Sequence, residues 1–173
     1  MSRTKVSRAF TQLILEVFRL NGRLLSAGDA LTRPVGQTSA RWQVLGALDE
    51  EGRTVADIGR RMGLTRQSVQ RTADLLEADG LVSYADNPAH QRAKLATLTS
   101  HGRATLDTIT SRQIAWANRV ASPFTQDDFQ HAIRTLRHVR QALEASIART
   151  IKPVQSKKTP SVKSGKTKRW SPS

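Results

Sequence analysis

The chain has 173 residues, enough for one domain with a real hydrophobic core and too few to suggest several independent ones. Its 28 Lys and Arg stand against 14 Asp and Glu, and the resulting formal charge of +14 points to a polyanionic partner, with nucleic acid favoured over an anionic membrane surface. The absence of Cys excludes disulfides, thiolate metal sites and cysteine-based redox sensing. No apolar run reaches spanning length and no secretory leader pattern opens the chain, so the expected location is the cytoplasm, without a membrane partner.

Val6, Phe10, Leu13, Val17, Leu20 and Leu24 recur at alternating steps of four and three, which predicts one apolar stripe on a first helix of about six turns. Ile14, Phe18 and Leu25 add a second flank, so this helix is expected to pack on two sides, with Gly28 and Pro34 ending it and opening a loop. A second helix is expected from Thr38 or Ser39, carrying Trp42, Val44, Leu45 and Leu48 and stopping near Gly52.

Thr54 with Asp57 has capping-box spacing, Asp standing in for the preferred Glu, and begins a short helix whose inward face is Val55, Ile58 and Met62. Gly63 breaks it. Thr65 can cap the next helix, in which Val69, Ala73 and Leu76 share one side while Gln67, Arg71, Asp74 and Ala78 lie opposite. Gly80 ends that helix, and Leu81 to Ala85 and Lys94 to Leu98 read as the two strands of a hairpin with a basic tip.

Leu106, Ile109, Trp116 and Val120 continue in helical register as far as Ser122 and Pro123. Thr125 restarts a helix, with Asp127 and Asp128 near its positive end and Phe129, Ile133, Leu136, Val139, Leu143 and Ile147 along one side. Long amphipathic helices at both ends of a compact centre suggest a helical bundle assembled from two subunits. From Lys152 onward there are seven basic residues and no acid; subtracting them leaves +7 on the body. This segment, rich in Ser, Thr, Pro and Lys, has no periodic apolar residues to offset the entropy of ordering it and reads as a disordered basic tail, with Trp170 a lone aromatic.

Two short helices joined through Gly63, the second with a polar outward face, match the helix-turn-helix layout that sets one helix in the DNA major groove; the hairpin makes it winged. The stretches TSARWQVLGAL, TVADIGRRMGLTRQSVQRTADLLEADGLV and DNPAHQRAKLATLTSHG resemble the multiple antibiotic resistance regulator (MarR) family of bacterial transcription factors. The resemblance is close over Thr38 to Gly102 and one of position and length in the terminal helices. It implies a mainly α fold with a small β-hairpin wing, in an obligate dimer whose N- and C-terminal helices interlock. Each subunit would present its lobe to half of a pseudo-palindromic double-stranded site. It also implies a small-molecule cleft between the dimer helices and the lobe, often suited to aromatic acids. The expected organisation is a dimerisation helix and loop over 1–37, a DNA-binding lobe over 38–100, further dimerisation helices over 101–151, and the tail over 152–173.

Within the lobe, Gln67 and Arg71 are one turn apart, and Gln suits adenine as Arg suits guanine in the major groove, so both are assigned base readout, with Ser68 and Gln70 beside them. Thr65 and Arg66, at the helix's positive end, are assigned to phosphate. In the wing Arg92 is the candidate minor-groove probe, aimed by Asp86, and Lys94 is a phosphate partner. The family commonly has a second Asp where His90 stands and Arg where Gln91 stands, which leaves the aiming of Arg92 to Asp86. Trp42, Tyr84 and Trp116 read first as packing aromatics, and Arg41 first as a solvated or ion-paired cation; Arg41 and Trp42 are also the candidate ligand contacts. His101, His131 and His138 lack ligand spacing, so neither metal nor cofactor is expected. The expected function is a repressor released by a small ligand. A ligand-independent architectural DNA protein using the tail is the alternative, and no nucleophile and base constellation suggests an enzyme.

Overall fold

The structure is a computed structural model, and it describes residues 2–88 and 93–150. The wing-tip expectations for His90, Gln91 and Arg92, and those for the tail from 152 onward, lie outside the described residues. The chain divides into two units, Met1–Ser122 and Pro123–Ser173.

Helix α1, Lys5–Thr32, begins where the Thr4 hydroxyl accepts a hydrogen bond from the Ser7 amide at 3.0 Å. It continues through Gly28, where the sequence predicts its end. The glycine serves proximity instead: a Cβ there would lie 2.6 Å from Ser39 Oγ, so its absence lets α1 approach the next helix closely. The helix gives way to a single 3-10 turn, Arg33–Val35, that Gly36 closes at φ +69°. Asp29 then reaches across this connection, its Oδ1 accepting from the Ser39 amide at 2.7 Å.

Helix α2, Ser39–Ala47, is capped by Thr38 and stops well short of Gly52. Its early end has a specific cause. The buried Arg53 donates from Nε to the Ala47 carbonyl at 2.9 Å and also faces Glu50, Glu51 and Asp57, so a cation from the following loop closes the helix. Helix α3, Val55–Met62, buries Val55, Ile58 and Gly59. Met62, expected inward, is half-exposed, because the chain turns at Gly63 and lays the Leu64 carbonyl, not a side chain, over Gly59. The Thr54 hydroxyl accepts from the Asp57 amide at 3.2 Å, but the Asp57 carboxylate turns to Arg53 and Arg60. Desolvation alone would raise that carboxyl; the two guanidinium groups outweigh it and hold it below the usual carboxylate range.

Helix α4, Arg66–Ala78, follows after three residues and buries Val69, Ala73 and Leu76, the side the periodicity predicts. Strands β1, Val82–Ala85, and β2, Leu95–Leu98, pair antiparallel with Val82 opposite Leu98 and Tyr84 opposite Ala96. Arg53 adds a one-residue bridge on the far side of β2 through reciprocal bonds with Ala96. Val44 and Leu45 of α2 and Leu48 just after it form one core with Val55 and Ile58, Val69, Ala73 and Leu76, the wing-base residues Leu81, Val82 and Ala96, and Leu106. Each large side chain fully buried there contributes about 1.5–3 kcal/mol relative to exposure.

Helix α5, Ser100–Ala121, is fastened to the wing base. Thr99 accepts from the Gly102 amide at 3.0 Å, donates its hydroxyl to Gly80 O at 2.7 Å, and donates its amide to Leu81 O at 3.1 Å. Gly102 packs directly on that last carbonyl: a Cβ would fall 1.9 Å from Leu81 O. Farther along, Arg112 Nε donates to Leu31 O at the end of α1, at 2.9 Å.

In the second unit, α6, Gln126–Thr150, opens on a reciprocal box in which Asp128 Oδ2 accepts from the Thr125 amide at 2.8 Å and the Asp128 amide returns a bond to the Thr125 hydroxyl. The Thr125 hydroxyl, donating to Asp128 Oδ2 at 2.7 Å, and the Thr125 amide together hold the Asp128 carboxyl below its ordinary range. Phe129, Ile133, Leu136, Leu143 and Ile147 of α6 are exposed, as are Phe10, Phe18, Leu20 and Leu24 of α1. No helix among the described residues is long and apolar enough to cross a membrane.

Candidate nucleic-acid interface

A three-residue turn, Gly63 to Thr65, joins α3 to α4. Two glycines make it possible. Gly63 sits at φ +67°, which L side chains rarely adopt, and Gly59 leaves room for the returning backbone, since a Cβ there would be 2.9 Å from Leu64 O. Thr65 then caps α4 by accepting from the Ser68 amide at 3.1 Å. With the apolar side of α4 fixed in the core, Arg66, Gln67, Ser68 and Arg71 are exposed, as the sequence spacing requires.

The wing stands beside the first two turns of this helix. Between them is a cleft of about 320 Å³ lined by Val55, Arg66, Gln70, Tyr84, Ala93 and Lys94. Arg66, Arg71 and Lys94 have no carboxylate partner among the described residues, whereas Arg41, Arg53, Arg60 and Arg103 are all paired. Unpaired cations therefore flank the exposed row of α4. That is the charge pattern a polyanion would meet. Asp86, at the end of β1, is exposed as well, while the Arg92 it is expected to aim lies outside the described residues.

Gln70 is placed differently from its neighbours. Its Nε2 donates to Asp74 Oδ1 at 2.7 Å and to the Tyr84 hydroxyl at 3.2 Å, and the Tyr84 hydroxyl donates to the same carboxylate oxygen at 3.2 Å. Burial, with the Asp74 charge adding to it, pushes the Tyr84 phenol up to about 12, so the hydroxyl keeps its proton. The spacing of Gln70 and Asp74 is visible in the sequence; the tyrosine that closes the group is not.

A second cleft, of about 240 Å³, lies among α1, α2 and α5, with Leu24, Leu25, Leu31, Trp42, Gln43 and Trp116 in its wall. Trp42, one of the two candidate ligand contacts, lines this cleft. Arg41, the other, lies outside this lining and forms an ion pair with Asp79 at the end of α4. The pairing fits the plainer of its two sequence readings.

A helix-turn-helix whose second helix exposes a polar row beside a two-stranded wing defines a winged helix-turn-helix DNA-binding protein. A sequence model of the MarR family matches residues 35–93. An uncharacterized protein of Mycobacterium tuberculosis, Rv2011c, is 37% identical over 140 residues, covering 81% of this chain and 98% of its own length. The transcriptional activatory protein BadR of Rhodopseudomonas palustris is 26% identical over 130 residues, covering 72% and 74% of the two chains. Among solved structures, CouR from Rhodococcus jostii RHA1 bound to p-coumaroyl-CoA superposes with a TM-score of 0.67 at 25% identity, over 73% of this chain and 90% of that one. The transcriptional repressor CouR bound to a 23-mer DNA duplex gives 0.66 at 25% identity, over 80% and 99%. The chain belongs to the MarR family of transcriptional regulators and is a DNA-binding protein.

Proposed function

We propose that the protein is a homodimeric repressor of the cytoplasm that reads a pseudo-palindromic duplex and is released by a small aromatic ligand. The observation that carries this reading is the exposed Gln67 and Arg71 row on α4, flanked by Arg66 and Lys94 without acidic partners. Gln67 and Arg71 would meet base edges, Ser68 the adjoining position, and Thr65, Arg66 and Lys94 the backbone phosphates. Asp86 would steer Arg92 in the minor groove. The exposed apolar residues of α1 and of α6 support a second copy of the chain as partner, since such faces cost free energy in water.

The cleft holding Trp42 and Trp116 is the proposed ligand site. Its lining among the described residues is uncharged, and Arg41 is already paired, so an aromatic acid would find its counter-charge elsewhere than at Arg41. Release would follow if ligand binding changed the spacing of the two recognition helices relative to half-sites about one helical turn apart. That structures of CouR, a repressor, are known with p-coumaroyl-CoA and with a DNA duplex supports both halves of the proposal.

Footprinting on the protein's own promoter tests the reading. A single protected palindrome is the expected result. Uniform coating of DNA would replace the regulator with the architectural alternative. The tail from 152 to 173 is assigned non-specific attraction through counterion release. Its deletion is expected to flatten the dependence of log affinity on log salt, by about 6 in slope if all seven cations engage phosphate, with the preferred sequence retained. Lost sequence preference in the truncated protein would end that division of labour.

A further inference from the structure

Asp74 poses a problem for any account of α4 as a DNA-reading helix. Its carboxylate shares the exposed side of the helix with Gln67 and Arg71, where a phosphate backbone would repel it. The structure gives the charge an internal use. One carboxylate oxygen, Asp74 Oδ1, accepts from both Gln70 and Tyr84, and Gln70 also donates to the Tyr84 oxygen, so three side chains close a ring of hydrogen bonds. Two of them belong to α4 and one to β1. Tyr84 is opposite Ala96 in the hairpin, and Lys94 directly precedes β2, so the ring joins the recognition helix to the strand pair that carries the wing's cation.

We infer that the Gln70, Asp74 and Tyr84 group positions the wing against the recognition helix, fixing the distance between Arg66 and Lys94 across their shared cleft so that both reach the DNA backbone together. Gln70 is then a positioning residue, not a base reader. The geometry supports this over simple packing. The Tyr84 ring could fill the same space without a hydroxyl, and Asp74 would be a liability on this face without partners. The protonated phenol remains a donor throughout the neutral range, so the ring does not open with ordinary pH change.

The inference rests on the DNA-binding reading, and the test separates the two. The probe is the duplex that the wild-type protein selects from a random pool, and the variants are Tyr84→Phe and Asp74→Asn, each with and without Lys94→Ala, and Lys94→Ala alone. Tyr84→Phe is expected to melt close to wild type yet bind the probe about three- to tenfold more weakly, the scale of one hydrogen bond. Lys94→Ala is expected to cost less affinity, and to change the salt slope less, in the Tyr84→Phe background than alone, because a misplaced wing has already lost its phosphate. Asp74→Asn keeps an oxygen acceptor for the phenol and is expected to retain the full Lys94→Ala penalty. Additive Tyr84→Phe and Lys94→Ala effects, unchanged Tyr84→Phe binding, or a binding loss that only follows a lowered melting point would overturn the positioning role. A wild-type protein that selects no sequence would overturn the DNA-binding reading, and the inference with it.

Discussion

Replacing Gly102 with Ala is expected to lower the melting temperature by about 6–12 °C, the equivalent of about 3 kcal/mol in a chain of this size. Helix propensity argues the opposite way, since Gly→Ala inside a helix normally gains about 1 kcal/mol. Geometry decides the sign. The new Cβ would stand 1.9 Å from the Leu81 carbonyl oxygen and 2.9 Å from its carbon, and both are backbone atoms that no rotamer change can move aside. Either α5 or the wing base must shift, and with it the two bonds that Thr99 makes to Gly80 and Leu81. Gly46 of α2 is the matched control, because an added Cβ there meets nothing within 4 Å. Thermal melting of the two variants is expected to move in opposite directions, Gly46→Ala unchanged or upward and Gly102→Ala down. A Gly102→Ala protein as stable as wild type would mean that the α5 and wing-base junction yields easily.

Arg71→Ala is expected to weaken binding to the preferred duplex by about 1–3 kcal/mol and to relax the preference at one base pair. The side chain is exposed and unpaired among the described residues, so truncation leaves the fold intact and the loss is one of contact. Selection from a random pool separates the two ways in which affinity can fall. A base-reading Arg71 loses information at one position of the selected site, whereas a phosphate-contacting Arg71 weakens all sequences alike and reduces the salt slope by about 1. An unchanged site preference would take Arg71 out of the readout set.

What could be read from the sequence follows the range of each cause. The buried side of α4, its Thr65 cap and the Gly63 turn are set by residues within a few positions of one another, and all stand as expected. Gly28 was read as a stop because glycine has two uses, and its actual one, clearance for Ser39, depends on a chain reversal that a local pattern does not contain. Met62 fits the helical period yet is half-exposed, because the turn back at Gly63 brings backbone where a side chain was expected. Arg53, which no local pattern singles out, is a buried helix closure for α2. The pairing of Arg41 with Asp79 and of Tyr84 with Asp74 spans tens of residues or crosses from helix to strand, so only the folded chain reveals either. Gly59 and Gly102 were missed for the same reason: each matters through a carbonyl it lets come close.

The two attachments of α5 have a mechanical consequence. Gly102 bears on the wing base and Arg112 holds the last turn of α1, ten residues farther on, or about 15 Å of helix. A rod pinned at two points cannot be displaced at one without loading the other. A tilt of about 6° over that span carries one pin about 1.5 Å relative to its mate, half the thickness of a hydrogen bond. Leu31, whose carbonyl receives Arg112, also walls the cleft with the two tryptophans. A guest in that cleft would press on the end of a short lever whose opposite end is seated, with no side chain to cushion it, on the hairpin that carries Lys94.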